Sequence, residues 1–340
     1  MIHRRCGDCG GKEVEIGRTY TLAQGEQRTI YYCSVCDRSF SETRNTPLAS
    51  LKTPISVVVD VLSALTEGMG INAAARLYKV SKNSIYRWQE RLSGVKQTLL
   101  LYALTHQFLH QVIEGDELYT RVRKNVAPDE SKGWTIVLME RATRFIWDMR
   151  CGRKDRKLFK KAIGLLCQVI QQTGDLTLLT DGERRYGSLL FELCSQALRN
   201  GKRGRPKKTL RKGVKVRLKN KRSQRHKRGP KRPKYQAPHP EHPDTVQSLA
   251  TTEMHANHLE AFHTSLRRRC AAYRRRTNMY AKNTRRRQER LDVYWMVHNF
   301  VRVHFTTRRV PAVALGILDR GFGLHELFLI QKAASISNED

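Results

Sequence analysis

The chain has 340 residues, with 64 Lys or Arg against 31 Asp or Glu, a formal charge of +33. That length suggests two or three units of about 100–200 residues each, and an apolar content of 39% supplies ordinary cores and excludes wholesale disorder. No run approaches the ~20 apolar residues of a membrane span; the best, Ile55 to Leu65, is broken by Asp60, and the first ten residues lack a signal-type apolar stretch, so neither a secreted nor a membrane-embedded protein is expected.

The first feature along the chain is a pair of C-x2-C knuckles, Cys6–Cys9 and Cys33–Cys36, separated by 23 residues. Two thiolates at that spacing turn inward around one ion, and two such pairs complete a tetrahedral, structural zinc site with no open position for chemistry. Two disulfides are the alternative, disfavoured in the cytoplasmic compartment expected for this chain. Val14 to Leu22 and Arg28 to Tyr32 read as strands around a turn at Gln24–Gly25. Residues 1–46 are therefore expected to be a zinc ribbon, a unit that folds because it binds metal.

Residues 47–94 read as an all-α helix-turn-helix. Thr53–Pro54 opens a helix that ends at Gly68 and Gly70, and Asn72 caps a short second helix. Ser81 caps a third, in which Ile85, Trp88 and Leu92 face the core by their spacing. Lys82, Asn83, Tyr86 and Arg87 then face outward near its start, where a recognition helix meets base edges and phosphates. A generic three-helix bundle is the plainer alternative. Residues 95–110 read as a further apolar helix, a linker or a dimer contact.

From Gln111 the pattern predicts three strands with a turn near Arg141–Thr143, a helix over 154–172, the compact strand LTLLTDG, and a helix over 184–198. That is the element order of a ribonuclease-H-like α/β domain, here spanning 111–200 and 246–330. In such a domain the first and fourth strands are neighbours, so Asp116 and Asp181 would converge. Paired carboxylates hold the divalent ions that phosphodiester chemistry uses. Glu253, Glu260, Glu289 and Asp292 are the candidates for a third acid, and an aspartate that merely forms a turn is the bland alternative.

Between these parts lies a tract, 201–245, expected to be a flexible basic insertion. Residues 202–234 hold 18 Lys or Arg and no acid, and 267–290 hold 11 with the single acid Glu289. Clustered cations release the counterions condensed on nucleic acid, so double-stranded DNA is the expected partner, rather than a membrane. Gly204–Arg205–Pro206 is similar to an arginine hook for the minor groove.

The segment LEAFHTSLRRRCAAYRRRTNMYAKN resembles the catalytic-glutamate region of DDE transposases of the insertion-sequence-one family. The matching positions are Glu260, Leu266–Arg267, Ala271, Arg275–Arg276–Thr277, Tyr280 and Ala281–Lys282. GDEL at Asp116 and TDGERRY at Asp181 resemble the family's other two acid motifs, and the knuckles and helix-turn-helix resemble its upstream domains. The separation of Asp181 from Glu260 is longer than in compact members, by the basic tract. The resemblance implies that Asp116, Asp181 and Glu260 hold two Mg²⁺ (or Mn²⁺) ions and that the enzyme cuts and rejoins DNA at terminal inverted repeats. It also implies that Arg267, Arg268, Arg275, Arg276 and Lys282 meet phosphates, and that the protein acts as a homodimer or higher oligomer on the prokaryotic nucleoid. A catalytically silent DNA-binding regulator and a structure-specific nuclease of the same fold are the alternatives.

Overall fold

The computed structural model describes residues 5–22, 25–122, 126–199, 204–220, 233–246, 249–250, 253–275 and 279–332. The chain is mixed α/β and divides into two compact units, one running to Leu99 and resuming at Phe322, the other Leu100–Gly321.

The first unit opens with an antiparallel sheet, β1 (Val14–Thr21), β2 (Gln27–Cys33) and β3 (Arg38–Ser41), in that order. The short third strand, entered through Asp37 at φ +53°, was not expected from the pattern. The sheet's core is only Cys6, Cys33 and Phe40, with Val14, Tyr31 and Cys36 against it, far too little to fold alone. Glu26 ties it to the helices. One carboxylate oxygen accepts the Ile55 amide at 2.9 Å where α1 (Ile55–Thr66) starts, and the other takes Arg28, which also donates to the Leu51 carbonyl at 2.7 Å.

α1 stops before Gly68, whose φ of +103° only glycine adopts without strain. α2 (Ile71–Leu77) is capped by Gly70 rather than Asn72, which falls inside its first turn. Ser81 caps α3 (Lys82–Ser93), accepting the Ser84 amide at 3.0 Å. Ile85, Trp88 and Leu92 are buried, as their spacing predicts. A four-residue helix at Leu324–Leu327 packs on α1, so the segment after Phe322 belongs to this unit although the pattern placed 246–330 in one domain.

Next comes α4 (Lys96–Ala103), shorter than expected because the Thr105 hydroxyl and His106 turn back onto the Tyr102 carbonyl. The second unit is then built on β4 (Gln111–Tyr119), β5 (Trp134–Glu140) and β6 (Ile146–Gly152), joined antiparallel. α5 (Arg156–Gln171) leads to β7 (Leu176–Thr180), which lies parallel to β4. α6 (Arg184–Cys194) ends four residues sooner than expected, because Ser195–Leu198, β8, pairs with β9 (Lys207–Leu210). β10 (Val214–Lys219) runs parallel to β7, and β11 (Tyr235–Gln236) closes the edge, giving the order β11-β10-β7-β4-β5-β6.

Within the tract 201–245, expected to be a flexible insertion, residues 214–219 form β10, an interior strand. Val214, Val216 and Leu218 point to one face, and two cations on the other are buried against carboxylates. α6 sets Tyr186 against Gly115 of β4, while α7 (Asn257–Arg269) lies against Glu114 and Asp116 of the same strand, so helices cover both sheet faces. α8 (Thr284–Met296) continues as a π-helical turn over Val297–Val301, and α9 (Pro311–Ala314) follows. Trp147, Trp295, Phe145, Phe159 and Phe300 fill the core. No helix among the described residues is long and apolar enough to cross a membrane.

Candidate metal centre and acidic strand ends

The two knuckles meet as the spacing predicts. Cys6 Sγ lies 3.6 Å from Cys36 Sγ, Cys9 Sγ lies 3.7 Å from Cys33 Sγ, and all four fall within 4.8 Å of one another. A tetrahedron with Zn–S bonds of 2.3 Å has edges of about 3.8 Å. The thiols are free, so the disulfide alternative is not what this geometry holds. The amides of Asp8 and Gly11 point at Cys6 and Cys9 from 3.5 and 3.4 Å. Hydrogen bonds from the Cys9 and Asp8 amides pull the Cys6 thiol down to about 7, while burial and the neighbouring thiols push Cys36 up to about 12. Four thiolates this close repel unless a cation sits among them. The cluster can hold a metal ion, and its donor set suits zinc.

In the second unit, β4 and β7 are paired with Gly115 opposite Thr180. The next residue of each segment is an aspartate, so Asp116, within β4 and paired with Val137 of β5, stands level with Asp181 just past the end of β7, both part-exposed. α7 presents Glu260, exposed, in its first turn. One turn later His263 is buried with Nδ1 3.6 Å from Asp116 Oδ2, and burial, with Arg267 nearby, pushes its imidazole down to about 4. Arg267 follows on the same helical face. Burial and Arg275 lower its pKa, and Asp116 opposes them. Thus α7 turns His263 and Arg267 toward Asp116, while the ligand atoms of Asp116, Asp181 and Glu260 do not all lie within 4.8 Å of one another.

What holds α7 there is Glu114, two residues before Asp116 and with no exposed side chain. Its Oε1 accepts from Arg141 Nε at 2.8 Å and lies 2.7 Å from His258 Nδ1, and its Oε2 accepts the Leu259 amide at 3.0 Å. Arg141 also donates to the Glu253 and His255 carbonyls. Glu114, His255 and His258 offer three ligand atoms close enough to hold a metal, but the Arg141 guanidinium already supplies a cation at that place. On the opposite face Glu117 pairs with Lys154 at 2.7 Å. Lys154 also reaches Glu183, which burial would raise and Arg185 holds low.

The other acids considered for the third position are engaged elsewhere. Glu289 is buried between Arg285 and Arg286, each at 2.9 Å; Asp292 accepts from Gln288 at 2.8 Å; Glu253 accepts the Ala250 amide. Lys82, Asn83 and Arg87 are exposed on α3 and Tyr86 is half-buried; Lys82, Asn83 and Tyr86 border a cleft with Asn72 and Arg76 of α2. Arg205 is exposed ahead of β9, Arg268 and Arg275 are exposed, and Lys282 stacks over Tyr280 at 3.8 Å with Arg121 on the same ring. Arg276 lies outside the described residues. The sequence pattern gave no notice of Glu114 or His263, whose partners are remote in the chain. No protein-family model matches this chain, and no curated protein matches it.

Proposed function

We propose that the chain is a DNA transposase, with a ribonuclease-H-like catalytic unit joined to a zinc ribbon and a helix-turn-helix that read the terminal inverted repeats of its element. The observation that carries the reading is the parallel pairing of β4 with β7, which sets Asp116 beside Asp181, with the Glu260 helix packed on β4. The sheet order, with β5 and β6 joined antiparallel on one side of β4 and the parallel β7 and β10 with the antiparallel edge strand β11 on the other, supports the fold assignment. A charge of +33 supports a nucleic-acid partner, and acting on two element ends calls for at least a homodimer.

Asp116, Asp181 and Glu260 are hard oxygen donors, part-exposed or exposed, of the kind divalent metal takes. They would hold two Mg²⁺ or Mn²⁺ ions, which when bound acidify water and neutralise charge at phosphodiester oxygens. Arg267, Arg268 and Arg275 bind backbone phosphates next to the carboxylates. His263, neutral and packed on Asp116, orients that carboxylate without competing for it as a cation. Water frees a 3′-hydroxyl, which then attacks target DNA in line with its leaving 3′-oxygen, so no tyrosine–DNA bond forms. Tyr186 suits that assignment, being fully buried with a phenol that burial drives well above its ordinary range.

The test is a labelled duplex carrying the DNA that flanks the gene, with Mg²⁺, comparing the wild-type chain with Asp181→Asn. Metal-dependent cleavage and joining, lost in the variant while binding persists, is expected. Cleavage without joining would make the protein a nuclease. Specific binding without cleavage, with both element ends supplied, would make it a regulator.

A further inference from the structure

β10 carries three cations at alternate positions, Lys215, Arg217 and Lys219, so all three point to one face of the sheet. Its register on β7 pairs Arg217 with Leu179 and Leu218 with Thr180. Lys219, the last residue of β10, therefore stands level with Asp181, as Asp116 does on the other side, so Asp116, Asp181 and Lys219 form a row across the three parallel strands.

The first two cations are satisfied within the protein. Lys215, 1% exposed, lies 2.8 Å from Asp175 and donates to the Val246 carbonyl at 3.0 Å, and Arg217, 6% exposed, is paired with Glu241. A buried cation without an anion is strongly disfavoured, which explains why each has one. Lys219 is only part-buried, and among the described residues no carboxylate pairs with it. It lies near enough to His255 to help lower that imidazole, after burial and Arg141, which places its charge on the α7 side of the sheet. The third cation of the series thus stands beside Asp181 without a carboxylate partner among the described residues.

We infer that Lys219 is a phosphate-binding residue of this site, contacting the DNA backbone next to the phosphodiester held at Asp116 and Asp181. The inference rests on the DNA-processing reading of those acids and adds a contact supplied by the strand hidden in the basic tract. An ammonium on a flexible stem suits a phosphate oxygen, and its place next to Asp181 prevents that acid's charge from repelling the backbone.

The experiment measures binding of the full chain to a 30-bp duplex of fixed sequence in Ca²⁺, as a function of salt, for wild type, Lys219→Gln and Lys219→Arg. Loss of one phosphate contact makes the slope of log K against log salt shallower by about 0.9. Lys219→Gln is expected to show that change and Lys219→Arg to restore the wild-type slope. Amine-reactive footprinting of the wild-type chain provides a measurement that needs no variant: DNA is expected to protect Lys219 from modification. An unchanged slope in Lys219→Gln, or equal modification of Lys219 with and without DNA, overturns the inference. Neither readout needs turnover, so a wild-type chain that cleaves nothing in Mg²⁺ would sink the transposase reading while leaving Lys219 decided on its own result.

Discussion

Glu114 combines complete burial with three hydrogen-bonding partners drawn from β5's end and from α7, and so fixes how the helix bearing Glu260 meets the strand bearing Asp116. Removing Arg141 would leave that carboxylate without its cation. Arg141→Met is expected to cost the second unit about 3 kcal/mol in urea denaturation; a loss below 1 kcal/mol would mean that His258 and the Leu259 amide suffice. Cys33 has no exposed surface and is part of both the metal cluster and the small sheet core. Cys33→Ser, or a strong chelator, is expected to release zinc, read by a colorimetric indicator, with loss of β-sheet signal from the first unit. A protein that carries no zinc and keeps its fold in chelator would contradict the assignment. His298 gives the acid limb. It is buried against Phe262, Tyr294 and His304, with Nε2 donating to the Arg144 carbonyl at 2.9 Å, and burial pushes it to about 3. Nearby Arg269, Arg302 and His304 act in the same direction. The unfolded imidazole takes up its proton near 6.5. Between those values the unfolded chain binds more protons, so stability falls as pH drops from about 6.5 toward 3. Melts of wild type and His298→Gln at about pH 7 and about pH 5 should show a smaller drop in the variant; equal drops would assign the acid sensitivity elsewhere.

At the scale of elements, legibility followed the physics of periodicity. Ile85, Trp88 and Leu92 announce α3 because one helical face is apolar, and the two knuckles announce their sheet because metal spacing is local. β10 has an equally regular period of two, Val-Lys-Val-Arg-Leu-Lys, yet reads as a charge run because its polar face carries only cations. Their carboxylates, Asp175 and Glu241, come from distant segments and turn that face into buried ion pairs. Glu114 was silent for a related reason: the Leu259 amide it accepts is 145 positions away. The pairing of β4 with β7 was foreseeable from element order, whereas the level of Lys219 required the register. Deleting 204–246 as though it were an insertion is therefore expected to abolish the cooperative unfolding transition of the second unit. A deletion variant that still melts cooperatively would show that β10 is dispensable. Capping is a smaller term: Ser81→Ala should cost about 1 kcal/mol in the first unit, measured by denaturant unfolding.

At the scale of the molecule, the chain leaves the first unit at Leu99, builds the second, and returns at Phe322. Leu327 and Phe328 have no exposed surface, and the Leu324–Leu327 turn packs on α1, the helix that also supports α3. Phe328→Ala is expected to destabilise the first unit by about 3 kcal/mol, read as an earlier transition in calorimetry. An unshifted transition would mean that α1 does not depend on the returning segment. Four residues form a helix too short for any periodicity to reveal, which is why the return was not legible. The return also sets an order in time. A ribosome releases α1 long before it releases Leu324–Leu327, so the newborn first unit waits with one helix face uncovered while the sheet of the second unit is being made. Its completion follows the synthesis of the second unit, so a nascent chain cannot finish the first unit before the segment bearing Asp116, Asp181 and Glu260 has emerged.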